Sequence, residues 1–341
     1  MNFYYAIDGE PLQVMRCTAA ERKPVMQLWQ DGSDRYWGRR FFVSSRYVLH
    51  GTGNHTTALY DRAEDKTYDI SDLRSHGHLI LGEDLYFSND DGDHIPLCRV
   101  PLAQALQSPY GYKRVQAVIP PNQYDLLQSR RCGEYFFPVK GGFYTLFRQG
   151  EDYSILQFDL DGRMEGQTHP LRFSSGYRYA VFDIHGDTLF FAGDPPGTPR
   201  HCEAVWRYNI ASDAHERVLT LEGFSGNPSW DYPRVLSIHA GVESFALHIS
   251  YYSSKNMNTV ELYTYEGEQI ASFEQDFERV FTAAPNAFLL CGETEALLCT
   301  VDEKTVSWGK FCEGCVLAVQ QDEFPTALAG STNFEQEDIP Q

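Results

Sequence analysis

One short unit keeps returning along this chain, and it limits the possible folds more than any other feature. A tight turn leads into an aromatic strand, a polar loop follows, and a second strand ends on another turn. The opening strands read Gly82-Glu83-Asp84-Leu85-Tyr86-Phe87 and Gly186-Asp187-Thr188-Leu189-Phe190-Phe191, with looser copies from Gly142, Gly241 and Pro285. The returning strands read Leu59-Tyr60-Asp61, Leu156-Gln157-Phe158-Asp159, Trp206-Arg207-Tyr208-Asn209 and Leu262-Tyr263-Thr264-Tyr265. Short runs rich in aromatic residues and bounded by Gly, Asp and Asn are the mark of strands joined by tight turns.

A repeat of roughly 40–60 residues built only from short strands predicts an all-β fold, a β-propeller of four-stranded blades. With strands a to d running outward from the axis, the second blade spans 39–70. The third runs from His78 to about Val118 and the fourth from Glu134 to Gln167. The fifth covers 179–221, the sixth 235–273 and the seventh 280–308. Two fragments remain. The C-terminal part offers two inner strands, at 315–319 and 325–328. The N-terminal part offers an outer pair, Phe3–Ile7 and Leu12–Met15, across an Asp8-Gly9 turn. Joined, they close the ring at seven blades, and closure removes exposed sheet edges. The divergence of the repeats leaves six or eight open. Residues 1–330 read as a single domain, and the acidic tail 331–341 as disordered. Thr18 to Lys23 could start a helix that Pro24 would limit, and Pro101 to Leu106 offers a turn or two of helix.

The chain carries 28 basic and 47 acidic residues, a net charge of −19. Such a surface repels phosphate backbones, which argues against nucleic acid and anionic membranes and suits solubility or a basic partner. No apolar run approaches the roughly 18 residues of a membrane helix. The first residues lack a basic and then apolar leader. The expectation is a soluble, cytoplasmic protein that is monomeric by itself. The eight cysteines do not form a disulfide framework. Those in Leu97-Cys98, Leu290-Cys291 and Leu298-Cys299 read as small hydrophobes.

In an antiparallel blade the a–b and c–d turns share one face of the disc. The b–c loops and interblade connections share the other. The first set reads short, as in Lys140-Gly141-Gly142 and His185-Gly186-Asp187. The second reads long, at 51–56, 89–94, 193–201 and 251–256, and between blades at 16–36, 169–178 and 223–233. Loops on a rigid scaffold are where binding usually resides. The candidate partner-binding residues are therefore Asp90, Asp91, Asp93, Tyr177, Arg178, Trp230, Asp231 and Tyr232. Exposed Trp and Tyr serve as anchors, although aromatics here also serve as wedges between blades.

Several motifs weaken on inspection. Asn89, Asp91 and Asp93 present alternate oxygens that suit calcium, but the glycine sits at the wrong offset and no glutamate follows at the twelfth position. No cofactor is expected, and this loop is the first place where a calcium ion would sit. Cys312-Glu313-Gly314-Cys315 has zinc-knuckle spacing with Cys291 and Cys299 upstream, yet both upstream thiols fall on strands. Gly223-Phe224-Ser225-Gly226 misses the nucleophile elbow by one position. The eleven histidines show no metal-protease spacing; His50, His185, His239 and His248 read as structural.

The runs Gly82 to Phe87 and Gly186 to Phe191 resemble the Gly-x-x-Leu-aromatic-Phe opening of blades in propellers of the TolB and prolyl-oligopeptidase type. That resemblance implies the fold and carries no functional residues with it. Trp230-Asp231 lacks the upstream Gly-His of a WD repeat, and Gly141-Gly142 is the only paired glycine where kelch repeats want one per blade. The leading expectation is a protein- or peptide-binding module working through the long-loop face. The alternative is a hydrolase or lyase with Asp, Glu or His at the channel mouth, with or without a cation.

Overall fold

A computed structural model describes residues 2–9, 11–28, 41–44, 46–53, 56–70, 75–81, 83–89, 97–106, 116–117, 125–126, 136–139, 141–149, 152–159, 161–167, 181–193, 203–221, 232–252 and 257–321. It is a seven-bladed β-propeller built from seven antiparallel sheets. The chain begins with β1 (Phe3–Ile7), β2 (Leu12–Cys17) and β3 (Arg22–Leu28). Blade 2 is β4 (Phe42–Val43), β5 (Tyr47–Gly53), β6 (Thr56–Asp61) and β7 (Lys66–Asp69). Blade 3 is β8 (Ser75–Leu81), β9 (Asp84–Asn89) and β10 (Leu97–Pro101), then the helix α1 (Leu102–Ala105) and β11 (Gln116–Ala117). Blade 4 contains β12 (Asp125–Leu126), β13 (Phe137–Val139), β14 (Gly142–Gln149), β15 (Asp152–Asp159) and β16 (Met164–Gln167). Blade 5 is β17 (Val181–His185), β18 (Thr188–Gly193), β19 (Glu203–Asn209) and β20 (Ala214–Leu221). Blade 6 is β21 (Tyr232–Ala240), β22 (Ser244–Tyr252), β23 (Met257–Thr264) and β24 (Gln269–Phe273). Blade 7 is β25 (Arg279–Ala284), β26 (Ala287–Cys291), β27 (Glu295–Asp302) and β28 (Thr305–Glu313). The last strand, β29 (Val316–Gln321), pairs with β1 and completes blade 1 in the order β29-β1-β2-β3.

Burial grades outward from the axis, and the sequence shows why. Each blade is sandwiched between two others, so its second strand is covered on both faces. All five residues of β26 are buried, and the run Leu189 to Ala192 of β18 is buried throughout. Such strands read as continuous apolar runs. Outer strands carry polar residues because one edge and much of one face meet water, as in β20 and β28.

The core is a set of spokes rather than a hub. Separate apolar clusters fill the gaps between blades 4 and 5, 5 and 6, 6 and 7, 7 and 1, and 1 and 2. One larger cluster serves blades 2, 3 and 4. Aromatic cross-strand pairs stiffen the spokes. Phe143 and Phe158 face each other in register and stack with centroids 4.9 Å apart.

Five expectations change. Ring closure uses one C-terminal strand and three N-terminal strands, not two and two; the 325–328 segment lies outside the described residues. Residues 22–28 form the outer strand β3 where a helix start was expected. Thr18 accepts the N–H groups of Ala20 and Glu21 in a local turn, and Pro24 lies beside a bulge at Val25 on the edge strand, where its missing N–H costs nothing. Most of the 51–56 run belongs to β5 and β6. The inner position of blade 4 is filled by two pieces: β12 pairs with the Phe147 end of β14 and β13 with the Gly142 end. The short helix falls where the sequence predicted it. Its connection, 102–115, breaks the rule that the a–b and c–d turns are all short.

Candidate functional site

The inner strands present unpaired backbone groups to the axis, because each is a sheet edge. Buried groups of this kind must find partners. At the end of the axis carrying the a–b turns, side chains supply them from one blade to the next. Asp183 of β17 accepts the Ala240 N–H at 2.7 Å and the Ile184 N–H at 2.9 Å. Thr282 of β25 donates to the Ala240 carbonyl at 3.2 Å, and Gln321 of β29 donates to the Thr282 carbonyl at 3.2 Å. Gln320 pairs twice with Val43 of β4, at 2.6 and 2.8 Å. Five consecutive inner strands are thus clasped. Burial pushes the Asp183 carboxyl up to about 7, against the lowering effect of its two N–H donors. Around it, Tyr265 donates to the Gly241 carbonyl, and the Arg207 guanidinium sits 5.7 Å from the Tyr265 ring.

At the opposite end of the axis the inner strands begin. Arg279, the first residue of β25, donates to the Leu317 carbonyl of β29 at 2.9 Å. Arg234, third in β21, is half-buried in the neighbouring blade. Neither arginine was singled out from the sequence. The signal was present in Arg234-Val235-Leu236-Ser237 and Arg279-Val280-Phe281-Thr282, two runs of the same pattern opening consecutive inner strands.

Two buried polar groups resemble catalytic parts but lack access. His239 Nε2 lies 2.8 Å from Ser237 Oγ, and the two residues are only 3% and 2% exposed between blades 6 and 7. Burial, helped by His248, drives the His239 imidazole down to about 3, so the ring is neutral at ordinary pH. The structural reading of His239 and His248 fits their burial. Glu261 is buried on the opposite face of blade 6 and accepts hydroxyls from Tyr251, Thr259 and Tyr263. Three donors replace the water lost by the carboxylate.

The thiols behave as the sequence suggested. Cys17, Cys98, Cys291 and Cys299 are buried and free. Burial pushes Cys98 and Cys299 up to about 12 and raises Cys17 and Cys291, which keeps them protonated. Cys291 packs between blades 7 and 1 while Cys299 packs between blades 6 and 7, so the four-thiol stretch does not converge on one point. No group of three or more His, Cys, Asp or Glu side chains that could hold a metal is found among the described residues.

Of the candidate partner-binding residues, Asp90, Asp91, Asp93, Tyr177, Arg178, Trp230 and Asp231 lie outside the described residues, and so does most of the proposed calcium loop. Tyr232 opens β21, opposite Tyr252. Tyr251, which the sequence placed at the start of a long loop, belongs to β22 and is core at 5% exposure. No helix among the described residues is long and apolar enough to cross a membrane.

The sequence matches no family model and no curated protein. The structure is similar to solved propellers. It overlays on a 6-phosphogluconolactonase-like protein from Bacteroides fragilis with a TM-score of 0.52 and 11% identity, covering 94% of this chain and 97% of that one. A second protein of that description, from Bacteroides uniformis, gives 0.51 and 12%, covering 94% and 99%. Oligopeptidase B from Leishmania major gives 0.53 and 10%, covering 95% of this chain and 48% of that one. Identities this low carry the fold alone. They match the blade resemblance to the oligopeptidase type at that level.

Proposed function

We propose that this propeller is an interaction module that binds a protein or peptide partner through the face carrying the b–c loops and interblade connections. The observation behind this reading is the asymmetry of the disc. At the a–b turn end, five inner strands are tied to each other by Asp183, Thr282, Gln320 and Gln321. Apart from 102–115, the connections there are brief. The connections 29–41, 90–96, 118–124, 168–180, 194–202 and 222–231 leave from the other end, and 127–136 interrupts the inner position of blade 4. A rigid ring bearing variable connections on one side suits recognition, since the scaffold holds the loops at little ordering cost. The acidic balance of 47 to 28 favours a partner with a basic patch and speeds encounter with it.

The test compares capture from native extract by the wild-type chain, by a Trp230→Ala/Tyr232→Ala double variant and by Val242→Asp. Val242 is 44% exposed in the β21–β22 turn and marks the opposite face. A partner retained by Val242→Asp and lost by the double variant supports the reading, with a loss on the order of 2 kcal/mol in a binding titration. Equal retention by both variants refutes the assigned face.

A further inference from the structure

Basic residues are the minority in this chain, 28 against 47 acidic. Two of them nevertheless open adjacent inner strands at the same end of the axis, Arg234 on β21 and Arg279 on β25, and the two strands are in contact. The register fixes which way each points. Arg234 pairs with Ser250 and so shares a face with His248 and Val260 of the same sheet, the face that packs on blade 7. Arg279 pairs with Cys291, on the face that packs on blade 1. Both side chains therefore lean in the same rotational sense, each toward the next inner strand.

Their surroundings differ. Arg279 reaches the Leu317 carbonyl at 2.9 Å. Arg234, in the corresponding place one blade earlier, is half-buried and has no hydrogen bond or ion pair among the described residues. A guanidinium partly withdrawn from water without an acceptor is unfavourable unless a counter-charge arrives. Its planar fork of donors matches a carboxylate or a phosphate, and a second like charge on the adjacent inner strand adds to the attraction for an incoming anion.

We propose that Arg234 and Arg279 form a binding site for a small oxyanion, a phosphate- or carboxylate-bearing molecule, at the mouth of the axis on the long-connection side. The site concerns the axis and a small ligand. It stands or falls separately from partner binding at Trp230 and Tyr232.

The experiment titrates the purified full-length chain with inorganic phosphate and, in a second arm, with malonate. Binding is followed by calorimetry and by thermal shift at constant ionic strength, with chloride as the reference. The variants are Arg234→Gln, Arg279→Gln and the control Arg163→Gln, whose side chain is 80% exposed on a c–d turn. The expected result is saturable binding of at least one oxyanion by wild type and Arg163→Gln, weakened about ten-fold or more in Arg234→Gln. Which arm binds tells phosphate from carboxylate. Arg279→Gln also removes the Leu317 contact and could unfold blade 7, so Arg234→Gln, which breaks no hydrogen bond or ion pair among the described residues, is the deciding variant. It should also melt no lower than wild type in chloride alone, because it removes a half-buried charge that no described residue pairs. Absence of saturable binding in both arms, or equal binding by Arg234→Gln and wild type, overturns the proposal.

Discussion

Phe311 tests whether the first and last parts of the chain truly share one seam. It sits near the end of β28, 3% exposed, and its ring contacts across the seam are with Phe3, Tyr5 and Arg22 of the N-terminal strands. Its ring lies 5.7 Å from Phe3 and 5.1 Å from Tyr5, the latter edge-on, and the Arg22 guanidinium covers it at 4.0 Å. Arg22 also donates to its carbonyl. Truncating a buried phenylalanine costs about 3–5 kcal/mol through lost burial and the cavity left behind. The edge-to-face pair and the cation–π contact place Phe311→Ala toward the top of that range, at about 4–5 kcal/mol. Trp308, three residues earlier on the same strand, is the control. It is 63% exposed, and its alanine variant should cost about 1 kcal/mol or less. Urea unfolding followed by far-UV circular dichroism and by limited proteolysis of the N-terminal strands reads both. Phe311→Ala should lower the midpoint several-fold more than Trp308→Ala and expose residues 1–28 to protease first. Phe311→Leu, which restores volume but not the ring, should fall between them. If Phe311→Ala costs no more than Trp308→Ala, the N-terminal strands do not close the ring on blade 7.

Other outcomes follow from single sites. Asp183→Asn should flatten a pH dependence. The raised carboxyl binds its proton more tightly when folded, so the contribution of Asp183 to wild-type stability is greatest below about pH 4 and declines as pH rises toward 7, and the variant's melting temperature should lack that component. Asp61 gives the opposite sign. Its buried carboxylate accepts Arg46 and the Ala63 N–H and is held below the usual carboxylate range, so its contribution is present above about pH 4 and fades as pH falls further. The penalty of Asp61→Asn in urea melts should therefore shrink at acid pH. Gly162 and Gly186 both adopt positive φ, at 71° and 55°, but a Cβ at Gly162 would overlap the Tyr86 hydroxyl while one at Gly186 meets nothing. Gly186→Ala should cost about 1 kcal/mol by thermal melting and Gly162→Ala clearly more.

The repeat made the strands and their turns readable from sequence, because alternation and turn chemistry act over a few residues; seven blades followed only from joining the two leftover ends, with six or eight left open. Leu189-Phe190-Phe191 is a strand in any context that covers both of its faces, and Gly186-Asp187 turns the chain whatever lies beyond it. The partition of the closing blade was not readable. Residues 22–28 contain Arg22, Lys23 and Pro24, which suit an outer edge as well as a loop, and only β2 beside them and Phe311 beneath Arg22 make them a strand. The same holds for the axis. Asp183, Arg279, Thr282 and Gln321 look unremarkable one at a time, since their partners on the adjacent inner strand lie 38 or more positions away in chain, on strands that meet only when the circle is complete. Local pattern decided what each segment becomes. Which edges face each other, and so where charge and hydrogen-bonding capacity collect, was left to the closing of the ring.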